Sequence, residues 1–220
     1  METVGKKNRL KKNFVSGMII QGIFRAHSIH GDDAMTARIL CLIILLLELR
    51  GFSLSLSSRK WKVLVFYTQL SNLVTAVSAA LLLLLGQPMW ITVLRYLSSC
   101  MLLMTFFVTS CILVPMGGDP KLLLFSGNGL YHHLIIPIVS IGSYLLIERH
   151  IQSPTAILVP TALTFLYGMI MLWVNYKDIF DGPYPFFRVK HQSVAATVLW
   201  MTALTGAIGL LSFAIYRISP

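Results

Sequence analysis

Six predominantly apolar runs, at residues 35–55, 61–85, 89–114, 130–147, 155–173 and 194–216, leave this chain little else to be built from. Each is close to the ~20 residues that a helix needs to cross the hydrocarbon core of a bilayer. The runs are continuous rather than alternating, which excludes a β-barrel reading. Only a helix then satisfies its own backbone hydrogen bonds in lipid. Composition agrees: 56% of the chain is hydrophobic and 12% charged, where soluble domains carry about 25% charged residues. The expected fold class is all-α: a polytopic membrane protein, a six-transmembrane-helix bundle with a basic N-terminal tail. Residues 1–34 form the tail and 35–220 one membrane domain, with no room for a separate soluble domain.

Turn residues support these boundaries. Gly86-Gln87-Pro88 closes the second run, and a stretch from Pro115 to Pro120 breaks the chain after the third. Gly127-Asn128-Gly129 precedes the fourth, with Asn128 placed to cap it. Pro154 opens the fifth near a first-turn position, where its missing N–H is harmless.

Charge sets the expected orientation. Lys6, Lys7, Arg9, Lys11 and Lys12 precede apolar residues 14–24 and supply much of the net charge of +10. Ser16 and Gln21 interrupt that apolar part, and no small-residue cleavage site follows, so the tail reads as an interfacial segment on anionic lipid rather than a signal peptide. Nucleic acid, the other usual partner of basic runs, is not expected, since nothing else in the chain resembles a nucleic-acid module. Lysine and arginine favour the cytoplasmic side, which places both termini there, although Arg59, Lys60, Lys62, Arg188 and Lys190 then lie outside. Cys41, Cys100 and Cys111 read as small hydrophobes inside spans. His27, His30, Asp32 and Asp33 meet no metal-ligand spacing and read as solvated loop residues. Neither a metal nor a cofactor is expected.

The informative anomalies are polar groups inside spans. In the second run Thr68, Ser71 or Asn72, Thr75, and Ser78 or Ala79 recur at three- and four-residue spacing, which puts them on one helix face. Such stripes commonly glue membrane helices together at ~0.6 kcal/mol per contact, so packing is the first reading. Ser98, Ser99, Thr105, Thr109 and Ser110 of the third run take the same reading. Helices two and four run in the same direction, so their N-terminal ends share a leaflet with the fifth loop. Thr68 is expected about two turns into helix two, and His132 and His133 in the first turn of helix four, a depth difference of ~10 Å. Lys177, Asp178, Asp181 and the Tyr184-Pro185-Phe186 stretch join them from the loop. The opposite side offers Gly86-Gln87-Pro88 and Glu148-Arg149-His150 in its loops.

A hydroxyl beside an imidazole is the raw material of nucleophilic catalysis, the histidine taking the proton and returning it to the leaving group. With no carboxylate in either span near these residues, the chemistry reads as a dyad, or one oriented from the fifth loop. The plain alternative is a pair of histidines at the headgroup interface bonded to water. For Tyr184 and Phe186 it is an aromatic belt.

YTQLSNLVTAV in the second run, YHHLIIPIVSIGSYLLIE in the fourth and GPYPFF after the fifth, in that order, resemble motifs of the androgen-induced and androgen-dependent TFPI-regulating family of six-span proteins and its bacterial relatives of unassigned function. The resemblance covers roughly residues 61–187. It implies an intramembrane threonine hydrolase acting on fatty acid esters of hydroxy fatty acids. It also implies Thr68 as nucleophile, and as base a histidine preceding Pro137 and Glu148. Counted back from Pro137, His132 fits the eukaryotic spacing and His133 the bacterial one; His132 is preferred. Gln69 and Asn72 stand where the eukaryotic pattern is more apolar and acidic.

The expected function is therefore an intramembrane lipid-ester hydrolase with Thr68 and His132 catalytic. His133, Ser71, Asn72, Tyr184 and Phe186 bind substrate or support the pair. Its partners are membrane lipids and a lipid ester. The rivals are a small-molecule transporter or channel lined by the same polar groups, and a membrane scaffold without chemistry.

Overall fold

The computed structural model describes residues 31–148, 152–179 and 184–219. The basic tail and its interfacial segment lie outside the described residues, as do His27, His30 and Asp181. All described secondary structure is helical, and six helices are long and apolar enough to cross a membrane. They are α1 (Gly31–Arg59), α2 (Tyr67–Leu85), α3 (Met89–Leu113), α4 (Gly127–Glu148), α5 (Leu158–Tyr176, entered through a 3-10 turn Pro154–Ile157) and α6 (Val194–Ile218). The chain is a multi-pass membrane protein of the expected fold class.

The helix ends follow from local chemistry. α1 takes in residues expected in the tail, because Asp32 and Asp33 in its first turn favour the positive end of the helix dipole. It stops where Lys60 turns left-handed at φ 53°. The second span starts later than expected. Residues Lys60–Val65 form a 3-10 turn and Phe66 is extended, so α2 begins at Tyr67. Thr68 therefore lies in the first turn of α2, not two turns in, while α4 begins at Gly127 and carries His132 and His133 in its second turn, not its first. Gly86 closes α2 at φ 76°, a conformation only glycine adopts without strain. Asp119 caps a single-turn helix Pro120–Leu124 by accepting from the Lys121 N–H at 2.8 Å. Asn128 does not cap α4. Ser126 holds the cap position, and the Asn128 amide donates to Ser55 Oγ of α1 at 3.1 Å.

α1 packs on α2 and α4, α2 on α3, and α3 on α4, which makes a four-helix group. α5 and α6 pack on each other and against α3, and α5 also bonds the start of α2. Burial reports the same arrangement: 56% of the apolar window of α3 is buried, against 22% in each of α5 and α6. Outward positions such as Leu49, Leu84, Val194 and Leu210 are exposed apolar side chains, the surface a bilayer covers.

Hydroxyls join α2 to α3, as the packing reading expected. Ser71 Oγ meets Thr105 Oγ1 at 2.9 Å, and Ser78 Oγ donates to Ser98 Oγ at 3.3 Å. Below them lies a feature the spans did not advertise. Arg95 of α3 is wholly buried and donates through Nε and Nη2 to Glu148 of α4, at 2.9 and 2.6 Å. Its Nη1 reaches Ser140 Oγ at 3.1 Å, and Ser143 Oγ donates to Glu148 Oε1 at 2.9 Å. Glu148 is thus no loop residue. It ends α4 inside the protein because the guanidinium there needs a planar, two-oxygen partner.

Candidate functional site

Two polar centres lie near the starts of α2 and α4. Thr68 of α2 faces one and the next residue, Gln69, the other.

The first is a cavity between α2 and α3 on one side and α5, α6 and the Tyr184 loop on the other. Its empty space is about 510 Å³, counting the part that opens to the surroundings. Tyr67, Tyr167, Tyr184, Phe186 and Phe187 give it an aromatic wall, and Met104, Val108, Met201 and Leu204 an aliphatic one. Hydroxyls of Thr68, Thr105, Thr109, Thr164 and Thr205 punctuate this surface, and no charged side chain lines it among the described residues. Thr68 Oγ1 lies 3.5 Å from the Tyr184 hydroxyl. Tyr184 is fixed there by stacking on Phe186, with ring centroids 5.1 Å apart, and by an edge contact with Phe66 at 6.1 Å. Burial pushes its phenol pKa up, so it is a protonated donor at neutral pH.

The start of α2 is held by α5. The Tyr67 N–H, one of the helix's unpaired first donors, bonds the Tyr167 hydroxyl at 3.1 Å, and that hydroxyl donates to the Val65 carbonyl at 2.9 Å. Tyr67 and Thr164 hydroxyls meet at 2.8 Å. The Thr68 carbonyl accepts from Ser71 Oγ at 2.9 Å and from Asn72 Nδ2 at 2.7 Å. Ser71 and Asn72 are fully buried, so they brace the turn that carries Thr68 rather than line the cavity.

The second centre lies inside the four-helix group. A π-helical stretch, Leu130–Ile135, carries both histidines, and the wide turn separates their directions. His132 points inward and is completely buried. Its Nδ1 lies 3.0 Å from Gln69 Nε2, its Nε2 lies 3.6 Å from Glu48 Oε2, and its ring meets the edge of Phe52. Gly51 makes room for it, since a Cβ there would stand 2.2 Å from Nε2. His133 turns the other way, and its Nδ1 meets the Leu123 carbonyl at 2.7 Å, tying α4 to the short helix before it. Asn72 Nδ2 also reaches the His132 carbonyl, at 3.4 Å.

The structure thus brings Thr68, Tyr184 and Phe186 together, and braces them with Ser71 and Asn72. It does not join Thr68 to either imidazole: Gln69, the next residue of α2, stands where the nucleophile of a formed dyad would stand. A carboxylate does stand beside His132, and it comes from α1 rather than from the second span, the fourth span or the fifth loop. Glu48 and Arg95 each interrupt an otherwise apolar run. That alone is a signal of function or pairing, overshadowed in the sequence by the histidine pair. The contributions of α5 and α6, such as Thr164, Tyr167 and Thr205, carry no signal in their own sequence.

Fold and site together define a six-span integral membrane protein with an uncharged cavity and a separate buried ionisable cluster. Compared with protein-family models, curated proteins and solved structures, the chain matches none.

Proposed function

We propose that this chain is an intramembrane lipid-ester hydrolase in which Thr68 is the nucleophile and His132 the base. The observation that carries the reading is the Thr68 hydroxyl in the wall of an uncharged, aromatic cavity, beside the Tyr184 phenol. An ester carbonyl seated there is attacked by Thr68 Oγ, and the hydroxyl proton passes to the imidazole and on to the departing alcohol. Water then cleaves the acyl-threonine. The negative charge that develops on the carbonyl oxygen lies near the first turn of α2, where the helix dipole favours it, and within reach of a phenolic donor. Proton transfer requires the Gln69 amide to release Nδ1 of His132 as the ester binds, since catalytic hydrogen bonds often tighten only in the substrate complex. The motifs shared with the androgen-induced family support the same assignment of roles. Labelling of the purified protein by a fluorophosphonate, with the adduct mapped to Thr68, tests it.

His132→Ala is expected to abolish ester hydrolysis. His133→Ala should only weaken it, because it removes one hydrogen bond to Leu123, of about 1 kcal/mol. Rates measured on both purified variants check this, and a dead His133→Ala beside an active His132→Ala would transfer the role of base. The proposed orientation places both termini in the cytoplasm and the cavity in the outer leaflet. In a chain without its native cysteines, a cysteine at the exposed Ser57 should react with an impermeant reagent from outside, and one at the exposed Ser153 only from inside. The reverse pattern would turn the protein over.

The buried Glu48 and His132 favour one second reading, a transporter whose pathway they line, since ionisable groups inside spans mark ion and proton routes. Flux of solute or protons in liposomes that lack any esterase activity would select it.

A further inference from the structure

Several buried polar atoms left without a hydrogen bond among the described residues meet around one ring. They are both carboxylate oxygens of Glu48, Oε1 of Gln69 and Nε2 of His132. Glu48 is 1% exposed and His132 0%, so bulk solvent reaches neither. None of these side chains lines the cavity at Thr68, and the charge balance among them is the same whether or not the chain hydrolyses esters.

We propose that Glu48 and His132 form an intramembrane proton site that holds one proton between the carboxylate and Nε2, with the Gln69 amide turning to follow it. The argument is one of charge. An ionised Glu48 beside a neutral imidazole is a lone anion in the interior, which costs several kcal/mol. Among the described residues, no neighbouring element offers a cation to offset it. On α1 the nearest charge along the chain, Arg50, is exposed. On α2 the facing groups are the neutral Gln69 and Asn72. The single charged side chain of α3 is Arg95, and both carboxylate oxygens of Glu148 already occupy it. On α4 itself the flanking titratable groups are Tyr131, neutral as a phenol, and His133, which is bonded to the Leu123 carbonyl.

The pair reaches zero net charge by taking up one proton. That proton sits either on the carboxyl, which then donates to Nε2, or on Nε2 of an imidazolium facing the carboxylate. In both forms Nδ1 also carries its own proton and must donate. An amide nitrogen cannot accept it, but the unpartnered Oε1 of Gln69 can, once the amide rotates by half a turn. When the proton leaves, the remaining ring proton moves to Nε2, Nδ1 becomes an acceptor, and Gln69 presents Nε2 again. Proton occupancy is thereby written into the side chain next to Thr68. The 3.6 Å between Oε2 and Nε2 leaves the pair room to close on a shared proton.

The test is NMR of the histidine ring nitrogens on the full chain in phosphatidylcholine nanodiscs, from about pH 5 to 8. The His132 signals are assigned through their contact with the Phe52 ring, 5.0 Å away. Wild type should show protonated Nδ1 at the acid end, with the shared proton on or near Nε2, and both ring nitrogens should change together in one step. Glu48→Gln should abolish that step and fix one neutral tautomer. A wild-type ring that stays in one neutral tautomer while isotope-edited infrared shows Glu48 ionised would overturn the proposal. So would a His132 titration unchanged by Glu48→Gln. The wild-type measurements decide the matter by themselves if the variant does not fold. None of these readouts needs a substrate, so absence of esterase activity leaves the outcome intact.

Discussion

Thr68→Ala is expected to lose essentially all ester hydrolysis and all fluorophosphonate labelling while melting like wild type. Removing a nucleophile that acts as part of a unit costs of order 10⁶-fold in rate. Losing a hydroxyl that only packs costs ~0.6 kcal/mol of stability and leaves chemistry nearly intact. The hydroxyl's only hydrogen-bonding neighbour among the described residues is the Tyr184 phenol at 3.5 Å, a contact at the limit of a hydrogen bond, so its removal should barely touch the fold. Thr68→Ser keeps the oxygen and should keep part of the activity. Hydrolysis of short- and long-chain esters by the variants in detergent is the measurement. A folded Thr68→Ala protein with wild-type turnover would eliminate the threonine-hydrolase reading.

The largest effect on stability is expected at Arg95. Arg95→Met leaves Glu148 as a buried carboxylate held by little more than Ser143, and breaking such a pair costs about 3–5 kcal/mol. The double variant Arg95→Met with Glu148→Leu should recover most of that loss, because apolar side chains of similar volume replace a buried ion pair at little cost. Thermal unfolding of the three proteins in detergent gives the comparison. If the single variant melts with wild type, Arg95 and Glu148 do not hold α3 against α4.

The spans were legible because bilayer thickness imposes length and apolarity on each run separately. The packing role of the hydroxyl stripe was legible too: Ser71 and Thr105 do meet across α2 and α3. What escaped were relations between helices. A stripe puts Thr68, Ser71 and Asn72 on one face, but nothing in α2 says that the neighbouring Gln69 takes the imidazole. The start of α2 was misplaced because Trp61, Val63, Leu64 and Val65 of the Lys60–Val65 turn continue the apolar run, and hydropathy does not distinguish 3-10 from α geometry. Glu48 lies far from the histidines along the chain. Its place beside His132 depends on α1 packing against α4 and on the absence of a side chain at Gly51.

The position of α3 has a mechanical consequence. It is the shared wall of two bodies: the α1–α4 group, bolted by Arg95 and Glu148, and the α5–α6 pair, which presses on that wall chiefly through apolar side chains. The cavity lies along this seam. Sliding α5 and α6 outward would break no ion pair, but it would part Tyr67 from Tyr167 and Thr164 and Tyr96 from the Ser212 carbonyl, hydrogen bonds that lipid tails cannot replace. The seam is therefore greased along most of its length and pinned where Tyr67 and Tyr96 cross it, so the cavity can widen only where those hydrogen bonds let go.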